Sequence, residues 1–135
     1  MTKLNFFGDK ARTHHIGLAV TSIRDMAPDA EIFHDPIQKV KVAFVSLHGQ
    51  TLELIEPAGD DSPITESLKK DRKLVHICIE VPDIAEAANA ARAHGFHRIS
   101  KPVPAVAFDE RPITWLFSRQ YGLVELVEAP AGASA

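Results

Sequence analysis

Two six-residue stretches share one alternation of apolar and other residues and divide the chain into halves: His15-Ile16-Gly17-Leu18-Ala19-Val20 and His76-Ile77-Cys78-Ile79-Glu80-Val81. In each, every second residue is a large aliphatic one (Ile16, Leu18, Val20; Ile77, Ile79, Val81). That period of two predicts a half-buried strand, with the histidine on the other face among small or polar residues. β-Branched and aromatic residues predict a strand over 40–47, His48-Gly49-Gln50 a turn, and 51–56 the second arm of a hairpin. Between the first strand and the hairpin, Ser22 to Ala27 admits a helix start, but Pro28 keeps it short. Ser62-Pro63 has the residue types of an N-cap and a first helical position, with Ile64 and Leu68 on one face of a short helix.

The second half repeats the scheme. A strand over 74–81 is followed by a helix that Asp83 and Glu86 open at capping-box spacing, with Ile84, Ala87, Ala88 and Ala91 as its apolar stripe and Gly95 as its stop. Residues 98–104 are extended and broken by prolines, and 112–117 and 123–128 form a second hairpin-like pair around Tyr121-Gly122. Strand, helix, strand, strand therefore occurs twice, an α+β pattern in which each half alone leaves one sheet face uncovered. The expected organisation is an N-terminal arm over 1–13 and one domain over 14–130. The domain divides into a first module at 14–61, a linker helix at 62–73 and a second module at 74–130, and a flexible tail follows at 131–135.

Composition narrows the classes of function. The 135 residues are 45% apolar and 24% charged, close to globular averages, so neither disorder nor a membrane protein is expected. No window approaches the roughly 20 apolar residues of a spanning helix, and residues 1–15 lack a signal-peptide core. A net charge of −3 supplies no electrostatic reason to expect nucleic acid. The single cysteine, Cys78, has no intrachain partner, which suits a reducing compartment and a packing role. A cytoplasmic protein is the expectation.

The two halves also share their chemistry. Glu53-Leu54-Ile55-Glu56-Pro57 and Glu125-Leu126-Val127-Glu128-Ala129-Pro130 follow the two histidine strands, so the order reads histidine, glutamate, histidine, glutamate. One strand histidine or one strand glutamate is ordinary; the same pair at matching places in both halves is not. His15, Glu53, His76 and Glu125 each lie on the face opposite Leu52, Leu54, Val124 and Leu126 or their equivalents. His15 alone takes the place of His76 in the repeat, so it is preferred over His14. Two imidazoles and two carboxylates suit one borderline divalent ion, with cobalt, nickel, zinc, manganese and iron not distinguished. Such an ion stabilises negative charge on an oxygen while a neighbouring carbon loses a proton, and a nearby carboxylate can accept that proton. His34, His48, His94 and His97 show no such pattern and are read as surface or turn residues, Trp115 and Phe117 as core.

The strings HHIGLAV, VKVAFVSL, LELIEPAGDDSPI, LVHICIEVPDI and GLVELVE resemble the vicinal-oxygen-chelate superfamily, and within it methylmalonyl-CoA epimerases, over nearly all of residues 14–129. The resemblance implies two tandem βαβββ modules curled into an open, cup-shaped mixed sheet with helices outside, a divalent metal held by His15, Glu53, His76 and Glu125, and a homodimer. It implies an epimerase, acting beside the carbonyl of an acyl-CoA or carrier-bound acyl thioester by proton abstraction, an enolate, and reprotonation on the other face. Glu125 is the first candidate for the proton-transferring carboxylate and Glu53 the second. A glyoxalase-type lyase acting on a glutathione adduct uses the same ligands, and a non-catalytic binding or resistance protein is the alternative of another class. Val42 stands where some epimerases carry a further acid, so a two-base mechanism does not carry over, and the first module is shortened around Pro28 in a region that borders the substrate in many relatives. The segment from Pro102 to Arg111 is also unlike the glycine-rich epimerase loop.

Overall fold

The computed structural model describes residues 1–132; the last three residues of the expected tail lie outside the described residues. Nine strands and three short helices make an α+β fold with the order βαβββ run through twice. The first pass is β1 (Arg12–Ala19), α1 (Ile23–Met26), β2 (Phe33–Asp35), β3 (Val40–Leu47) and β4 (Gln50–Pro57). The linker helix α2 (Pro63–Lys69) follows. The second pass is β5 (Leu74–Val81), α3 (Ile84–Arg92), β6 (His97–Arg98), β7 (Val103–Ala105), β8 (Arg111–Ser118) and β9 (Gly122–Glu128), with a 3-10 turn at Val106–Phe108 before β8. The stretch that takes the place of β2 is thus split in two, with Pro102 in the gap and the Ser100 hydroxyl accepting the Trp115 N–H there.

Backbone proximity separates two compact units. The first-module unit holds His15–His76 together with Val106–Asp109; the second-module unit holds residues 1–14, Ile77–Ala105 and Glu110 onward. In the first-module unit the strand order is β2-β3-β4-β1, with β1 parallel to β4 and β3 antiparallel to it. Left-handed backbone at His48 and Gly49, φ 48° and 88°, makes the two-residue turn between β3 and β4, a conformation whose twist matches the strands. One sheet face carries Leu18, Val20, Ala43 and Leu54 against Ile23 of α1. The opposite face carries Ala19, Val40, Val42 and Ile55, covered by Ile64 and Leu68 of α2 and by Ala107 of the 3-10 turn.

In the second-module unit β5 is parallel to β9, β8 is antiparallel to β9, and β6 and β7 both pair with β8. Ile79, Val81, Leu116, Val124 and Leu126 pack against the stripe Ile84, Ala87, Ala88 and Ala91 of α3. The N-terminal arm is tied down: the rings of Phe6 and Phe7 pack at a tilt against Phe96, and Phe6 also meets His94 and Tyr121. Aromatic residues in an otherwise polar arm were its only sequence signal for docking.

Both passes start their helix in the same way. Ser22 accepts the N–H of Asp25 and Asp83 accepts that of Glu86, three residues on in each case. A glutamate three residues beyond the candidate ligand adds a second cap: Glu56 accepts the N–H of Ile23 at 2.8 Å and Glu128 that of Ile84 at 3.2 Å. An anionic oxygen on the first amide of a helix satisfies a donor that has no intrahelical partner and faces the positive end of the dipole. The sequence repeat Glu-x-x-Glu therefore has a split role, its first carboxylate on the open face and its second at a helix start.

Candidate metal centre

His15 on β1, Glu53 on β4 and His76 on β5 all belong to the first-module unit, where the structure brings their side chains together. The two Nε2 atoms stand 3.1 Å apart, and Glu53 Oε1 lies 3.4 Å from His15 Nε2 and 3.5 Å from His76 Nε2. Donors bonded at about 2.1 Å to one cation, with angles of about 90–110° between bonds, stand about 3.0–3.4 Å from each other. The three atoms thus form a triangle of the size that one divalent ion requires. All three residues are buried, with His15 at 0% exposure. Without a cation, one imidazole has to carry its proton on Nε2 and donate it to the other, leaving a buried carboxylate at the margin of hydrogen bonding with both.

Local sequence explains how three side chains can meet. Parallel pairing sets Gly17 beside Glu53, two residues from His15 on the same strand face. A Cβ at Gly17 would overlap the His76 ring, falling against its Cε1 and Nδ1 and within 2.9 Å of Nε2. The glycine is therefore needed for close approach of a side chain rather than for an unusual backbone angle. Phe44 lies opposite Glu53 on β3, and its ring sits 5.4 Å from that of His15. Phe108 of the 3-10 turn stacks on His15 at 5.9 Å with 17° between the planes, and the two phenylalanines stand 5.5 Å apart. His15 therefore rests against two apolar rings, beside which electrostatic interactions are stronger than in water.

Glu125 belongs to the second-module unit, on β9, where it is buried at 3% exposure with Cys78 as its register partner on β5 and Trp115 on β8. Register places it on the face opposite the α3-packed core, the place that Glu53 takes on β4. Trp115 shares that face and is half-buried, and Phe117 is exposed, so neither is the core residue expected. Antiparallel register sets Trp115 across from Glu125, on a face that does not make the core its bulk suggested. His34, His48, His94 and His97 are exposed, as expected. Val42 packs among Ala19, Val40 and Ile55, so that position offers no acid.

Sequence reasoning missed one charged cluster. In the second-module unit Arg12 donates to Glu80 Oε1 from Nε at 3.2 Å and Nη2 at 3.0 Å, and Arg111 Nη1 donates to Glu80 Oε2 at 3.2 Å and to the Glu128 carbonyl at 2.9 Å. Burial by itself would raise the Glu80 carboxyl, but the two guanidinium groups outweigh it and hold it below the ordinary carboxylate range. The available signal was an acid where the first half has Ala19.

Residues 14–115 match the model of the glyoxalase/bleomycin resistance protein/dioxygenase superfamily. The mitochondrial methylmalonyl-CoA epimerase of Dictyostelium discoideum is 31% identical over 130 residues, 87% of this chain and 78% of that protein. A solved methylmalonyl-CoA epimerase in complex with methylmalonyl-CoA and NH4+ superposes with a TM-score of 0.70 at 25% identity, covering 94% of this chain and 100% of that one. A hypothetical protein from Bacillus halodurans C-125 gives 0.74 at 28% identity, over 94% of this chain and 100% of the other. Duplicated modules, paired histidine and glutamate strands and a match across three quarters of the sequence agree: the chain belongs to the glyoxalase/bleomycin resistance protein/dioxygenase superfamily, as a relative of methylmalonyl-CoA epimerases.

Proposed function

We propose that the protein is a metal-dependent epimerase acting at the carbon beside the thioester carbonyl of a small acyl-CoA, with methylmalonyl-CoA as the first substrate to test. The observation that carries the reading is the buried triangle of His15, Glu53 and His76, whose donor spacing suits one divalent cation. Glu125 is the proposed fourth donor, supported by its burial and by its match to Glu53 in the repeat. A cation held there would polarise substrate oxygens and lower the cost of removing the neighbouring proton.

The chain's own residues supply the remainder. The imidazoles would hold the cation as neutral donors, and the apolar rings of Phe44 and Phe108 keep water away from His15. Glu125 is the first candidate to take the proton and return it, Glu53 the second, because each is a buried carboxylate on the ligand side of its strand. With Val42 in the core, no further acid comes from that position of β3. The lone buried Cys78 supports a reducing, cytoplasmic setting. Among the described residues no helix is long and apolar enough to cross a membrane.

The test is deuterium incorporation at the α-carbon of methylmalonyl-CoA in deuterated water by protein loaded in turn with cobalt, nickel, zinc, manganese or iron(II). Exchange that chelator abolishes and metal restores is expected. Background exchange with every ion would overturn the epimerase reading, and turnover of a glutathione hemithioacetal instead would move the protein to the glyoxalase-type lyases.

A further inference from the structure

We propose that Arg12 and Arg111, held by the buried carboxylate of Glu80, form an oxyanion-binding clamp on the Glu125 side of the second-module sheet. It would take an anionic group of the acyl thioester, either its free carboxylate or the phosphates of its carrier. The inference rests on the acyl-thioester reading above and extends it to substrate recognition.

Placement comes first. On β5, Cys78 and Glu80 point to the same side, and parallel register sets them beside Glu125 and Val127 of β9. Glu80 is thus one strand over from Glu125 and two residues along, about 7 Å in the strand direction. On β8, Trp115 pairs with Glu125 and Ile113 with Val127, so Arg111, two residues further, continues the same face. The clamp and the proposed fourth ligand share one surface within one compact unit.

The charge count follows. Two guanidinium groups flank one carboxylate, so the Glu80 cluster itself holds two cationic groups to one acid. Glu80 is only 8% exposed, and burying a carboxylate costs free energy that hydrogen bonds must offset. The matching position in the first module is Ala19, and the residue matching Arg111 is Val40; both belong to an apolar cluster. The fold therefore tolerates an uncharged solution at this place. Arg12 presents 72% of its side chain to solvent, which leaves the clamp open to an arriving anion. Arginine's planar fork suits carboxylate and phosphate alike.

Binding of methylmalonyl-CoA and of propionyl-CoA, which lacks the carboxylate, is measured by calorimetry on metal-loaded wild type, Arg111→Ala, Arg111→Lys and Arg12→Ala. Loss of about ten- to a hundredfold in affinity for methylmalonyl-CoA alone, the scale of a charge-assisted hydrogen bond, assigns the clamp to the carboxylate. An equal loss for both thioesters assigns it to the carrier phosphates. Unchanged affinity for both in Arg111→Ala overturns the proposal. Arg111→Lys keeps the charge without the fork and guards against a variant that fails to fold; it is expected to fall between wild type and alanine. Should wild type bind neither thioester, the acyl-thioester reading fails separately, and titration with malonate and inorganic diphosphate still judges the clamp. No binding of either, or equal affinity in wild type and Arg111→Ala, then overturns it.

Discussion

Where the first module has Ala19 and Val40, the second has Glu80 and Arg111, and the two halves treat the same stretch of sheet face in opposite ways. In the first, Ile64 and Leu68 of the linker helix close it with aliphatic side chains. In the second, it carries a carboxylate between two arginines. Duplication keeps what both halves need, the strand alternation, the ligand positions and the glutamate cap on each helix. It leaves free what a single asymmetric ligand would need at only one end. The helices differ similarly: α3 runs nine residues with a full apolar stripe, whereas α1 stops after four, ahead of Pro28.

The candidate ligands are what the modules share, so removing one should have the largest effect. His76→Ala is expected to lower bound metal from about one equivalent to less than about a tenth by elemental analysis and to reduce proton exchange by at least about a hundredfold, within the range that loss of electrostatic stabilisation costs. Wild-type protein purified without stoichiometric metal, and unable to take it up, would break the comparison at its root.

The next effect separates the modules. Gly17 and Cys78 occupy equivalent places, and a side chain at Gly17 would meet the ring of His76. Gly17→Ala should displace His76 and weaken metal affinity at least about tenfold, an overpacking cost of about 1–3 kcal/mol. Cys78→Ala removes a small buried side chain and should cost about 1 kcal/mol of stability. Chelator competition measures the first, and chemical denaturation the second. Equal metal affinity in Gly17→Ala and wild type would remove the glycine from its positioning role.

The caps test what the halves hold in common. Glu56→Ala and Glu128→Ala should each lose about 1 kcal/mol, or about 3–5 °C in melting temperature for a chain of this size. A loss at only one of them would show that the parallel capping geometry does not carry parallel energies.

The smallest effect is a pH dependence confined to the second module. Because Glu80 titrates below its ordinary value in the folded protein, its contribution is present above the ordinary value of 4.5 and is lost as pH falls through the lowered one. Melting temperature followed from neutral pH into that acidic range should therefore fall less steeply in Glu80→Gln than in wild type, although Glu80→Gln starts lower. Parallel curves would show that the arginines do not favour the ionised form.

Much of this was legible in the residues. Strands at 40–47 and 74–81 were fully specified by alternation and β-branched content, and α3 by its cap, stripe and terminal glycine. The repeat singled out His15, Glu53, His76 and Glu125 because identical residue types recur in identical order, and the side chains of the first three meet. The strand β1 extends further back, to Arg12, than apolar alternation indicated, since its opening residues are polar. The short β2 and the split of β6 from β7 carry too few residues for a period to register.

The sequence by itself determined the duplicated alternation, the helix starts and the pairing of histidine with glutamate, because each depends on neighbours within a few positions. Only the tertiary structure decided which residues surround those ligands. Phe108 reaches His15 from 93 positions away, Gly17 clears space for a ring 59 positions away, and Arg12 and Arg111 meet at Glu80. Contacts of that span are set by strand order and register, which local periodicity does not encode.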